Sequence, residues 1–257
     1  MRKFMTKKEK LIKEWLEEEK NAYIKGWDFS YIEGRFDEES DLPWDYTDII
    51  RKYLKKEHKL LDIDTGGGEF LIYLGHSYGN TSATENYEPN VEFCKKELLP
   101  LGIDFKKANA LDKLPFEDNT FDIIINRHGA FNASEIYRIL KKGGIFITQQ
   151  VGAENDRELI DLLLPNTKIQ FPEQYLGKVS KKFKNIGFNI LQEQEVFRPI
   201  KFYDIGALVW FACIIEWEFI NFSVEKCLDK LFEAQDILEN KGVVEAKIHR
   251  FLLVCKK

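Results

Sequence analysis

The apolar positions change their spacing near residue 59. Before it, Leu11, Ile12, Trp15 and Leu16 recur at helical intervals, and Tyr23, Ile24 and Trp27 continue the stripe. The spacing predicts an amphipathic helix from about Lys7 to Ile24. An aromatic, turn-rich stretch follows ("GWDFSYIEGRF", "DLPWDY"), then a second predicted helix from Asp48 to Leu54. From residue 59 short apolar runs alternate with helical segments. "KLLDI", "TSATEN", "IDFKKA", "FDIIIN" and "IFITQQ" predict five strands, and "FDIIIN" is apolar enough to be buried on both faces. Between them "EFLIYLG" predicts a helix starting just after three glycines, and "PNVEFCKKELL" one with Pro89 at its first position, where proline is tolerated. "SEIYRILKK" predicts a third, stopped by Gly143 and Gly144. This βαβαβ rhythm predicts a doubly wound parallel sheet with right-handed crossovers.

After Gly152 the rhythm loosens. "DRELIDLLL" and "EQYLGKVSKKFKNIG" predict helices and "FNILQEQEVF" a strand, whereas "VEAKIHRFLLVCK" predicts a closing strand. Residues 198–242 between the last two strands read as mostly helical, more than a turn needs, and suggest a lid.

Composition narrows the class. The 257 residues are 44% hydrophobic with a formal net charge of -5, so a sizeable core is affordable and no global field draws in nucleic acid or anionic membrane. Four scattered cysteines without a CxxC pair predict reduced thiols, not a zinc site or disulfide framework, and no metal is expected. The N-terminal residues lack the apolar core of a secretory signal. The most hydrophobic stretch, 205–215, falls short of the ~20 residues that a spanning helix requires. A soluble, cytoplasmic protein without a membrane partner is expected.

The candidate chemistry lies in "LLDIDTGGGEF", residues 60–70. A phosphate-binding P-loop needs Lys followed by Ser or Thr after its last glycine, and Glu69-Phe70 stand there. A dinucleotide fingerprint is matched by Gly66 and Gly68, but Leu71 holds the third glycine position, and Glu69 would oppose a pyrophosphate. S-adenosylmethionine (SAM) has no phosphate and carries positive amino and sulfonium groups, which suit the acids Asp62, Asp64 and Glu69. Glu85, at the end of the second strand of this region, is placed for ribose hydroxyls, a feature shared with NAD enzymes.

"NALDKLPFEDNTFDIIINRH" (109–128) and "RILKKGGIFIT" (138–148) carry a resemblance. In order and spacing they resemble class I SAM-dependent methyltransferases of the "type 11" group, over about Lys59 to Gln150. The resemblance implies a seven-stranded Rossmann-like sheet of order 3-2-1-4-5-7-6 with the last strand antiparallel. It implies that Asp62 orders the methionine amino group and that Thr65, Gly66 and Gly68 line the loop. Glu85 would bind the ribose and Asn86 lie beside the adenine. Asn109 and Ala110 would bracket the adenine edge with Leu111 packing nearby, and Asn126 would face the methionine end. Asp64 departs from the family, which has glycine there; its charge either pairs with the cofactor's ammonium or crowds its carboxylate.

In open α/β sheets ligands bind beyond the carboxyl ends of the strands. His128 is the candidate base there and Arg127 the candidate anchor for an anionic acceptor group, with Gln149 and Gln150 at the next strand end. Trp27, Tyr31, Trp44 and Tyr46 are candidates to cover the acceptor, or simply aromatic anchors of the N-terminal segment. The expected layout is a helical cap (1–58), a cofactor-binding core (59–197), a helical lid (198–242) and a final core strand (243–257). The expected activity is methylation of a small molecule. An RNA methyltransferase and a non-catalytic SAM-binding protein are the alternatives.

Overall fold

A computed structural model describes residues 5–24, 28–38 and 41–257. Strands β1 (Phe36–Glu38), β2 (Leu60–Ile63), β3 (Thr81–Glu85), β4 (Asp104–Lys107), β5 (Phe121–Arg127), β6 (Leu140–Val151), β7 (Asn189–Phe202) and β8 (Val244–Lys256) form one sheet. Its order is β1-β7-β8-β6-β5-β2-β3-β4. Read from β4, the first seven are the expected 3-2-1-4-5-7-6. β2 to β6 pair in parallel, and β8 runs antiparallel to β6. The eighth strand is β1, paired antiparallel with β7, which the sequence did not announce.

Two compact units divide the chain. The first comprises Met1–Asp41, Ala153–Pro172 and Phe197–His249; the second comprises Leu42–Gly152, Glu173–Val196 and Arg250–Lys257. In the first, α1 (Lys7–Asn21) opens with a Thr6–Glu9 capping box and buries Trp15. α6 (Arg157–Leu163), α8 (Ile205–Ile214) and α9 (Leu228–Lys241) contribute to the same hydrophobic cluster. Every residue from Ile205 to Ala212 is buried, so the most apolar stretch of the sequence is a core helix of this unit. Arg35 bridges Glu18 and Asp204 there, each at 2.7 Å.

The second unit holds α2 (Tyr46–Tyr53), α3 (Glu69–Leu74), α4 (Glu88–Glu97), α5 (Ala133–Ile139) and α7 (Leu176–Ile186). Their apolar faces pack in two clusters with residues from the sheet. Trp44, Tyr46 and Ile50, expected in the N-terminal cap, belong to one of these clusters. α5 ends at Ile139, earlier than the glycines suggested, because Leu140 pairs with Phe121 and begins β6. Gly144 is packed against its surroundings: a Cβ there would lie 2.8 Å from the Leu140 side chain and 3.0 Å from the Asp122 carbonyl. No helix among the described residues is long and apolar enough to cross a membrane.

Candidate active site

β2 ends at Ile63, and the loop to α3 turns through left-handed backbone at Asp64 (φ 54°), Gly66 (φ 64°) and Gly68 (φ 82°). Aspartate visits this region more readily than most side-chain-bearing residues. The three glycines differ in what they face. A Cβ at Gly68 would strike Leu98 at 2.7 Å, and one at Gly67 would meet the Glu69 carboxylate folded back over the loop. A Cβ at Gly66 would meet nothing within 4 Å. Only Gly66 leaves open space for a ligand; the other two admit the chain's own side chains.

Carboxyl groups crowd this loop. Asp62 is almost fully buried, and its carboxylate accepts the Thr65 hydroxyl at 2.7 Å. Burial above all, opposed by Thr65 and Arg127 and reinforced by Asp64 and Glu85, pushes its pKa up to about 7. Burial and then Glu85 push Asp64 up to about 7 as well, against a hydrogen bond donated by the Ala130 backbone. Glu85 Oε2 accepts the Gly66 N–H at 2.8 Å, while Oε1 accepts those of Asn86 (2.7 Å) and Tyr87 (2.9 Å). Asn90 Nδ2 also donates to Oε2, at 3.5 Å, so each oxygen has two donors and the long Asn90 contact is the weakest of the four. Among the described residues no ion pair joins Asp62, Asp64, Glu69 or Glu85 to a lysine or arginine, and no group of acids is arranged to hold a metal ion.

Beyond β4, Asn109 is exposed and its Oδ1 accepts the Leu111 N–H at 3.0 Å. Ala110 is buried with its carbonyl accepting from Asn132, and Leu111 is exposed. Asn86 is also exposed. Asn126 is wholly buried. Its Nδ2 donates to the Ile63 carbonyl (2.9 Å) and the Ala130 carbonyl (3.3 Å), and its Oδ1 accepts from Gln150 (2.5 Å) and Thr148 (3.3 Å). The donors and acceptors of Asn126 are thus spent within the sheet end, and Gln150 Nε2 also donates to the Thr148 hydroxyl at 2.7 Å.

Comparison with known proteins agrees with this construction. Residues 61–148, from β2 to β6, match the methyltransferase-domain family. The chain is 26% identical over 184 residues to the ubiquinone/menaquinone biosynthesis C-methyltransferase UbiE of Pasteurella multocida, covering 63% of this chain and 61% of that protein. It is 28% identical over 127 residues to a phthiotriol/phenolphthiotriol dimycocerosates methyltransferase of Mycobacterium tuberculosis, covering 41% and 47% respectively. The chain therefore spans about half to three-fifths of the length of these curated relatives. The crystal structure of the YcgJ protein from Bacillus subtilis shares the fold, with a TM-score of 0.56, 20% identity, and coverage of 82% of this chain and 97% of that one. Residues 61–148 form a methyltransferase domain.

The β5 end of this methyltransferase domain has the opposite electrostatic character to the glycine loop. Arg127 is exposed, with its guanidinium 4.7 Å above the Phe70 ring, which in turn lies 5.6 Å from Tyr46. His128 follows in left-handed backbone (φ 58°), its N–H donating to the Gln149 carbonyl at 2.9 Å. Burial of the ring, then Arg250 and Arg127, lower its pKa to about 3. The residue as a whole is exposed, and the positive charge of the two arginines favours the neutral imidazole. Gln149 lies 3.1 Å from His128 Nε2 on one side and accepts the Trp44 indole N–H at 2.8 Å on the other.

The aromatic candidates separate. Trp44 and Tyr46 are buried anchors of the methyltransferase domain, the Tyr46 hydroxyl donating to the carbonyls of Asn126 (3.0 Å) and Ile147 (3.3 Å). Tyr31 belongs to the other unit, where it stacks on Trp210 at 5.4 Å. Trp27 lies outside the described residues. Two participants escaped the sequence. One is the bond between Gln149 and Trp44, 105 positions apart, which no local pattern announces. The other is Gly129, where a Cβ would lie 2.7 Å from Asp64 Cβ and 2.9 Å from Asn126 Nδ2. "NRHG" at the strand end was a visible hint of the second.

Proposed function

We propose that this chain binds SAM at the β2–α3 loop and methylates a small-molecule acceptor at the β5 end. The observation that carries this reading is the set of carboxyls around open Gly66, which among the described residues has no ion-paired Lys or Arg and no arrangement for a metal ion, Arg127 acting on Asp62 only through its field. Such a site favours an organic cation and disfavours a pyrophosphate. Asp62 and Asp64 would face the ammonium and sulfonium charges, Gly66 would admit the cofactor's backbone, and Glu85 would bind the ribose. Asn86 and Asn109 with Leu111 flank the adenine side, as their exposure permits. When bound, SAM supplies a methyl carbon on a positively charged sulfur, which an electron-rich acceptor displaces in line with the carbon–sulfur pair leaving on sulfur. The chain's own contribution is alignment and charge balance. The names of the relatives, concerned with quinone biosynthesis and with phthiotriol dimycocerosates, support a non-polymeric acceptor.

Calorimetric titration tests the cofactor. S-adenosylhomocysteine (SAH) binds in the micromolar range, NAD and NADP do not, and Glu85→Ala abolishes SAH binding by releasing the Gly66 N–H. Binding of NAD in place of SAH, or of neither, overturns the proposal. Transfer of label from SAM into a small-molecule extract, with RNA in parallel, then separates the acceptor classes.

A further inference from the structure

The Trp44–Gln149–His128 chain fixes where one proton sits. An indole nitrogen can only donate, so the Gln149 atom beside Trp44 is the amide oxygen, and the amide NH2 faces His128 Nε2. Nε2 must then accept, and in a neutral ring the proton resides on Nδ1. No hydrogen-bond partner is recorded for Nδ1 among the described residues, and Arg127 and Arg250 add positive potential around the ring. The left-handed backbone of His128 and its N–H bond to the Gln149 carbonyl fix the residue at the strand end.

We propose that His128 is a hydrogen-bond donor, not a base, and that its Nδ1–H, beside Arg127, receives an oxyanion or carbonyl oxygen of the methyl acceptor. This rests on the methyltransferase reading above and names the acceptor class for the same site. Nε2, the only lone pair on a neutral ring of this tautomer, is engaged by Gln149 and is not offered to an acceptor's proton. A donor suits an acceptor that arrives as an anion, since it has no proton to give up. The domain then has two poles: carboxyls where a cation binds and N–H donors where an anion binds. Transfer from a sulfonium to an oxyanion-bearing acceptor cancels these charges.

The test is a long-range proton–nitrogen NMR spectrum of the full chain labelled at histidine nitrogens, from pH 5 to 8, assigned with His128→Asn. The expected result is that the neutral ring carries its proton on Nδ1. Gln149→Leu, which removes the donor to Nε2, moves the proton toward Nε2. A neutral wild-type ring protonated on Nε2 overturns the donor assignment. Benzoate is then titrated into the SAH complex as an oxyanion probe. It shifts the Nδ1 resonance, and it binds His128→Asn, whose amide nitrogen occupies the Nδ1 position and which tolerates positive φ, about tenfold more tightly than His128→Asp. No response to benzoate, or equal affinity of the two variants, overturns the acceptor class. Calorimetry on the same samples keeps the two proposals apart: loss of SAH binding counts against the cofactor, whereas SAH binding with an Nε2–H ring counts against this inference alone.

Discussion

Asp64→Asn removes one carboxylate from the loop while keeping its shape, its tolerance of left-handed backbone and an oxygen to accept the Ala130 N–H. Asp64 titrates at about 7 in the folded chain against an ordinary 3.8. The native state therefore binds this proton more tightly than the unfolded chain, and stability falls as pH rises between those values. At about 1.4 kcal/mol per pH unit, the full cost of ionising the group would be about 4 kcal/mol by pH 8. Asp64 retains partial solvent access, which screens roughly half and leaves about 2 kcal/mol. The variant should match the wild type near pH 4, where Asp64 is protonated, and exceed it by about 2 kcal/mol at pH 8. For a chain of this size that is about 4–8 °C in melting temperature. Differential scanning fluorimetry of both proteins without ligand, at half-unit steps from pH 4 to 8, reads the difference. Parallel profiles would show that Asp64 is ionised at no cost and that the loop is not under electrostatic load.

Three further expectations follow from the same geometry. SAH affinity should rise with pH through about 7, as Asp62 and Asp64 ionise and become partners for its ammonium, and calorimetry in buffers of differing ionisation enthalpy should detect proton release. Gly129→Ala should destabilise the protein by about 1–3 kcal/mol because its Cβ meets Asp64 and Asn126. Adding Asp64→Gly should recover part of that loss in a denaturant double-mutant cycle, whereas simple additivity would show that the two positions do not press on each other. Tyr46→Phe should cost about 1–2 kcal/mol in urea unfolding, since the carbonyls of Asn126 and Ile147 lose a buried donor.

Much of the methyltransferase domain was legible because its signals are local. Period and punctuation placed β2 to β6 and the helices between them, and strands that must be covered on both faces leave few topologies. The glycine loop with its acids was likewise visible, and so was the anomaly at Asp64. β1 was not legible, since its three residues gain strand character only by pairing with β7, more than 160 positions away. The helix ending at Ile139 was misjudged for a similar reason: Leu140 answers to Phe121 across the sheet and not to the glycines that follow it.

The sequence by itself determined strands β2 to β6, the helices between them and the acidic glycine loop, because short-range periodicity and backbone-permissive residues act over a few positions. Tertiary structure alone decided what the polar groups are free to do. It buried Asn126 and spent its amide on four partners, filled Glu85 Oε1 with backbone donors, and set Trp44 against Gln149, whose amide reaches the His128 ring. Hydrogen-bond capacity is a property of neighbours in space, and neighbours distant along the chain leave no periodic trace in it.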